Sequence, residues 1–301
     1  RLSGLRLAAL RVSAMHDRVG FAGIPDRHRR RRDNPFVMTK IRPDMAAGFD
    51  SVGVPVMGGF PEADSALMVE IDFLMTEGLG IALPLMKENA GRAFARLAVQ
   101  RYLRPDRPEG LAGRRVAVLA GKGGNGDIAL LTARRLADWG ARVSLILAVD
   151  PVRLGPGAAH ELSIHAAFGR GPVEPPADAP DLILDGIFGY SLRGDPRGRS
   201  ADLIAWANAS KSPVLSLDLP SGFDAQEGLI RAPAIRADAT LALGLPKRGC
   251  LSQAFAHVIG ALYLADISIP PDAWSRLSLP VQVPGFGGQD LVRIVRTGEV
   301  A

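Results

Sequence analysis

Between residues 114 and 266 the chain alternates short aliphatic runs with stretches of helical periodicity, and this alternation restricts the fold more than any other feature. The runs are RRVAVLA (114–120), RVSLILA (142–148), LILDGIF (182–188), PVLSLDL (213–219), ATLALG (239–244) and ALYLAD (261–266). Most are apolar on both faces, as in parallel strands covered on two sides. Helices are expected between the early ones, from about Asp127 to Trp139, Ala158 to Phe168 and Gly198 to Ala209. Right-handed crossovers then place helices on both sides of the sheet. The expected fold class is α/β: three α/β/α layers around a doubly wound, mostly parallel, Rossmann-like sheet.

Two helices are expected ahead of this pattern. EADSALMVEIDFLMTEGLG (62–80) has an acidic first turn and ends at Gly78 and Gly80, and LPLMKENAGRAFARLAVQRYL (83–103) spaces Leu85, Ala93 and Leu97 helically. GPVEPPADAP (171–180) is a Pro-rich connection, and the segment after Pro270 is expected to add an edge strand with a loose tail. The expected organisation is a disordered basic tail over 1–45, or sequence translated upstream of a start at Met38 or Met45, and one α/β domain over 46–301.

Charge supports that division. Residues 1–42 hold eleven Lys and Arg, including the run RHRRRR at 27–32, against Asp17, Asp26 and Asp33. With +5 overall, this excess of eight leaves the remaining 259 residues net negative by three. The body therefore carries no footprint for nucleic acid. Cys250 is the only cysteine, which excludes an intramolecular disulfide and suits a reducing, cytoplasmic setting. No apolar run reaches the roughly 18 residues that span a bilayer, so no membrane association is expected. His160 and His165, five apart, do not share a helical face and are read as ordinary histidines.

In doubly wound sheets ligands bind at the carboxyl ends of the strands, near the point where strand order reverses. Three loops qualify. The first strand runs into GKGGNGD, the third contains Asp185 and runs into GIFGYSLRGDPRGR, and the fourth ends at Asp218 and LPSG. Gly121, Gly123 and Gly126 spell G-x-G-x-x-G, and Asp150 stands where a ribose-binding acid of a nicotinamide dehydrogenase would. No His or Tyr-Lys constellation accompanies it, and Asp150-Pro151 is equally a turn.

The segments LMKENAGRAF, GKGGNGD, LILDGIFGYSLRG, SLDLPSGFDA and ADATLALGLPKRG occur in the order seen in the YjeF N-terminal domain family, which residues 62–270 resemble. The resemblance implies an isomerase, an NAD(P)HX epimerase that interconverts the R and S hydrates of NADH and NADPH in metabolite repair. It also implies a potassium ion, a homodimer, and a separate NAD(P)HX dehydratase to complete the repair. By position, Asn125, Asp185 and Ser221 match the potassium ligands, and Asp218 matches the substrate-contacting aspartate expected to move protons. The resemblance assigns substrate binding to Gly123, Gly124, Asn125, Gly126 and Asp127 in the glycine loop. It adds Gly189, Tyr190, Ser191, Leu192, Arg193, Gly194 and Asp195 in the loop over phosphate or ribose.

Departures from the family's G-P-G-N-N-G-G-D are Gly124 at its first Asn, Asp127 at a Gly and Ile128 at its Asp, although a one-residue deletion would restore Asp127 to the last role. Two other readings stay open: a non-catalytic nucleotide-binding or scaffold module, as in relatives within mRNA-decapping scaffolds, and an NAD-dependent dehydrogenase.

Overall fold

The computed structural model describes residues 48–103, 110–278 and 280–296. The expected basic tail lies outside the described residues. In chain order the elements are β1 (Val56–Met57), α1 (Ser65–Phe73), α2 (Leu83–Ala98), β2 (Arg115–Ala120), α3 (Gly124–Asp138), β3 (Arg142–Leu147) and α4 (Pro156–Ala167). They continue through β4 (Leu182–Gly186), α5 (Arg199–Ala209), β5 (Val214–Leu217), β6 (Phe223–Asp224), β7 (Leu229–Ile230) and β8 (Ala239–Leu243). Last come α6 (Ala256–Ile259), β9 (Ala261–Ala265), α7 (Pro271–Trp274) and β10 (Leu291–Ile294).

Eight of these strands form one sheet in the order β1-β10-β9-β8-β5-β4-β2-β3, while β6 and β7 make a separate hairpin. Only the β10–β9 pair of the large sheet is antiparallel. All six strands expected from the aliphatic runs are present. Alternation along β2 separates the layers: Val116, Val118 and Ala120 join the core with α1, α2 and α3, whereas Ala117 and Leu119 face Leu203, Ile204 and Ala207 of α5. Both faces are dry, which explains the continuous apolar runs.

Two expectations need correction. The segment after Pro270 does not form the sheet edge: all four residues of β10 are buried, and β1 pairs with its outer side. Val56–Met57 is too short to announce itself as a strand, so the true edge is silent in the sequence. Secondly, the α-helical geometry of both N-terminal helices stops before the expected ends, and each continues as a π turn, Leu74–Gly78 after α1 and Val99–Leu103 after α2.

Candidate active site

Strand order reverses at β2. Its crossover through α3 leads to β3 on one side, and the chain then returns to β4 on the other. The crevice above β2 and β4 is where such sheets accept ligands, and there the two loops touch backbone to backbone. Gly121 N donates to Gly186 O at 3.0 Å. A Cβ on Gly121 would stand 1.9 Å from Ile187 O, and one on Gly126 would stand 1.9 Å from Gly121 O. These two glycines permit close approach of chain segments. Gly123 and Gly124 do something else: they face open space at the start of α3, which has no side-chain cap, and so expose unpaired backbone N–H groups.

Beneath the crevice, Asp185, Ser221 and Asn125 come together. Asp185 is fully buried at the end of β4, with Oδ1 accepting from Ser221 Oγ (2.5 Å) and Ile187 N (3.3 Å) and Oδ2 from Ser216 Oγ and Ser221 N (both 2.8 Å). Burial pushes its carboxyl above the usual carboxylate range, and the Ser221 and Ser216 donors oppose that push. The Phe188 peptide bridges the other two side chains: its N–H donates to Ser221 Oγ (3.0 Å), and its carbonyl accepts from Asn125 Nδ2 (3.1 Å). Gly189 makes room for this amide, since a Cβ there would lie 2.5 Å from Asn125 Oδ1.

Asp218 reaches the same rim through an unusual turn. Its φ is +65°, a conformation most side chains avoid, and Leu219 N donates to Leu217 O across it at 2.8 Å. This i to i+2 bond with positive φ makes a γ-turn, the rare and strained kind. Asn125 Nδ2 also donates to Leu217 O (2.9 Å), and Asp218 N donates to Leu241 O on β8 (2.7 Å). On the neighbouring strand the device recurs, with Leu245 N donating to Leu243 O (2.8 Å) around Gly244 at φ +70°. Lys247, fully buried, donates to both carbonyls of that second turn, Leu243 O at 2.7 Å and Leu245 O at 3.2 Å. Its Nζ lies 2.5 Å from Asp218 Oδ1, an ion pair in which the ammonium's directed hydrogen bonds go to the carbonyls.

Above this pair opens a cavity of about 280 Å³, lined among others by Met68, Asp72, Asn125, Tyr190, Asp218 and Lys247. It is the size of a small ligand pocket. Tyr190 N donates to Asp218 Oδ2 (3.3 Å), its hydroxyl donates to Asp72 Oδ2 (2.9 Å), and the Lys247 ammonium stands 5.8 Å from its ring centroid. Burial raises the Asp72 carboxyl above its ordinary range; the Tyr190 hydrogen bond and Lys247 pull it down, and Asp218 pushes with burial. Burial and Asp72 together raise the Tyr190 phenol, which stays protonated.

The remaining expected site residues divide. Asp127 is buried and its carboxylate is taken by the Lys87 ammonium, so as placed it faces its own fold. From Ser191 to Asp195 only Leu192 is buried; Arg193 is exposed and its guanidinium donates to Leu192 O (3.0 Å). Asp150 caps the turn at Pro151–Arg153 by accepting from Val152 N at 3.0 Å, as a turn residue would. Asp72, Lys87 and Lys247 were not expected. Lys247 lies in the quoted LGLPKRG stretch, and Asp72 is one of two acids on α1, with Glu70 two residues before it; each carried a signal of position but none of partner.

The family described as YjeF-related protein N-terminus matches residues 83–249. An NAD(P)H-hydrate epimerase of Dehalogenimonas lykanthroporepellens is 42% identical over 216 residues, covering 71% of this chain and 84% of that protein. A bifunctional NAD(P)H-hydrate repair enzyme Nnr of Hyperthermus butylicus is 31% identical over 74% of this chain, which spans only 41% of that longer protein. The crystal structure of yeast ynu0 (YNL200c) superposes with a TM-score of 0.66 at 23% identity, covering 77% of this chain and 99% of the yeast chain, and establishes likeness of fold. The chain therefore belongs to the YjeF-related protein N-terminus family.

Proposed function

We propose that the protein is an NAD(P)HX epimerase, an isomerase that interconverts the R and S hydrates of NADH and NADPH in nicotinamide nucleotide repair. The observation that carries this reading is Asp218, a carboxylate held at positive φ by a γ-turn so that it faces the cavity at the switch point. The hydrate carries its hydroxyl at C6, beside the ring nitrogen, and changing its configuration requires a group that gives and takes a proton within hydrogen-bond reach. No hydride acceptor enters that reaction. A cavity of about 280 Å³ admits the modified ring but not a whole dinucleotide. The pyrophosphate is assigned to the open amides at Gly123 and Gly124, with Lys122 exposed beside them.

Asp185, Ser221 and Asn125 suit potassium. Asp185 is a buried carboxylate whose four hydrogen-bond donors are all neutral, which leaves its charge without a cationic partner among the described contacts. A hard monovalent cation matches such carboxylate, hydroxyl and amide oxygens. Bound there, the ion supplies fixed positive charge that orders the β4 and β5 loops. Meanwhile the chain's own groups work above it: Asn125 ties α3 to Leu217, and Asp218 moves the proton.

We assign the dehydration step that completes the repair to an NAD(P)HX dehydratase, coupled to this protein through their shared substrate. A homodimer is our reading of the quaternary state, supported by exposed Val69 and Phe73 on one face of α1 and exposed Leu85 at the start of α2. A cytoplasmic location matches the single, buried cysteine. The deciding experiment supplies purified protein with mixed NADHX epimers and an S-specific dehydratase. Consumption of the R form faster than its spontaneous epimerisation is expected; an unchanged rate would remove the proposal.

A further inference from the structure

We infer that Asp72 is a second proton-handling group of this cavity, placed by the Tyr190 hydroxyl at the far end of the tyrosine from Asp218. The inference rests on the epimerase reading above. One residue spans the two carboxylates: Tyr190 meets Asp218 with its backbone N–H and Asp72 with its phenol. Both acids line the same cavity, yet they are partnered differently. Asp218 has a buried ammonium at 2.5 Å, whereas the side chain bonded to Asp72 is a neutral hydroxyl. The charged groups facing Asp72 are Lys247, Asp218 and Lys87, and burial outweighs them in raising its proton affinity. Asp72 is thereby placed to hold a proton at the cavity wall.

The reaction gives two groups something to do. C6 of the hydrate is bonded to both a hydroxyl and the ring nitrogen N1, so the hydroxyl leaves readily once protonated. A protonated carboxyl gives its proton to that hydroxyl, the C6–O bond breaks with its electron pair departing on water, and the N1 lone pair forms an N1=C6 iminium. Water then adds to the opposite face. Its oxygen forms the new C6–O bond, the π pair returns to N1, and its surplus proton passes to the other carboxylate. Nothing is oxidised or reduced; one proton has moved between the two acids, and exchange with solvent water, or the reverse turnover, returns it. Asp218, fixed in its turn and tied to Lys247, cannot serve both faces of a bound ring.

The test uses the full chain with purified R and S epimers of NADHX, following epimerisation across pH 5–9 in ¹⁸O-labelled water. In the wild type, a bell-shaped profile and ¹⁸O at C6 are expected. Asp72→Asn should lower kcat about 100-fold or more in both directions, with KM within about threefold, and should erase one limb of the profile. Asp72→Glu should restore part of the rate. Tyr190→Phe keeps the carboxylate but frees it, and should lower kcat about tenfold and displace the same limb. A folded Asp72→Asn protein with wild-type kcat and both limbs would overturn the inference. If that variant does not fold, an unaltered rate and profile in Tyr190→Phe would overturn it instead. Epimerisation without ¹⁸O uptake would sink the two-step route. A wild type that does not epimerise at all strikes the epimerase reading itself, so the two failures are distinguishable.

Discussion

The Asp218–Lys247 pair makes a quantitative prediction. Both side chains are essentially sealed, at 2% and 0% exposure, so removing one charge strands the other in a poorly polarisable surrounding. Such a loss costs about 3–5 kcal/mol in other proteins. Asp218→Asn should fall near the low end, about 3 kcal/mol, because Lys247 keeps its carbonyl acceptors Leu243 O and Leu245 O and because Asn tolerates positive φ. Lys247→Met strands the carboxylate and also leaves those two carbonyls without their donor, so about 4 kcal/mol is expected. The double variant has no stranded charge. It should cost about 4 kcal/mol rather than the sum of about 7, a coupling near 3 kcal/mol. Urea unfolding followed by circular dichroism at pH 7 measures all four corners of the cycle. Single costs that add within about 0.5 kcal/mol would refute the claim that these two charges stabilise each other.

Four further outcomes are expected. Asp218→Asn should abolish epimerisation while remaining folded at 25 °C, read from the coupled assay beside its far-ultraviolet spectrum. Thermal unfolding in potassium chloride should lie above that in lithium chloride, and Ser221→Ala or Asp185→Asn should erase the difference. Gly121→Ala should destabilise the protein by about 3 kcal/mol or more, since the added methyl would meet Ile187 O at 1.9 Å, backbone that cannot swing aside. His165 is buried neutral, its Nε2 donating to Leu130 O at 2.9 Å and its Nδ1 accepting from Arg170 Nε at 3.2 Å, and burial lowers its pKa below 6.5. Below pH 6.5 the unfolded chain takes a proton that the folded one refuses. Stability should thus fall by up to about 1.4 kcal/mol per pH unit on acidification, a slope that urea midpoints of His165→Gln would lack.

How much of this was legible depended on range. The six central strands followed from local apolar runs, because a strand buried on both faces must read that way. Asn125, Asp185, Ser221 and Asp218 were named as site residues by motif resemblance alone, and they lie at one end of the sheet because β2, β4 and β5 are sheet neighbours whose ends are level. Asp72 stayed hidden since its meaning depends on Tyr190, 118 residues away, and nothing local distinguishes it from a surface acid on an amphipathic helix. Asp127 shows the converse. Its place in the glycine loop suggested a ligand contact, yet Lys87, forty residues earlier on α2, occupies the carboxylate. Spacing reports which residues share a loop and leaves open where a carboxylate turns.

The γ-turns carry the argument from fold to chemistry. Glycine adopts positive φ without cost, and the turn at Gly244 uses it. At residue 218 the same turn bears an aspartate, in a conformation that costs about 1–3 kcal/mol. If the turn existed only to end β5, glycine would serve better and would avoid burying a carboxylate as well. Asp218→Gly separates the two explanations: it relieves the backbone but leaves Lys247 unpaired. With the buried pair dominating, Asp218→Gly should still be less stable than the wild type, by about 1–3 kcal/mol, and inactive. With Lys247→Met already present, no charge is left stranded by the change, and Asp218→Gly should then stabilise the chain. A destabilising effect in that second background would mean that the aspartate is retained for packing, and the strained turn would lose its connection to proton transfer.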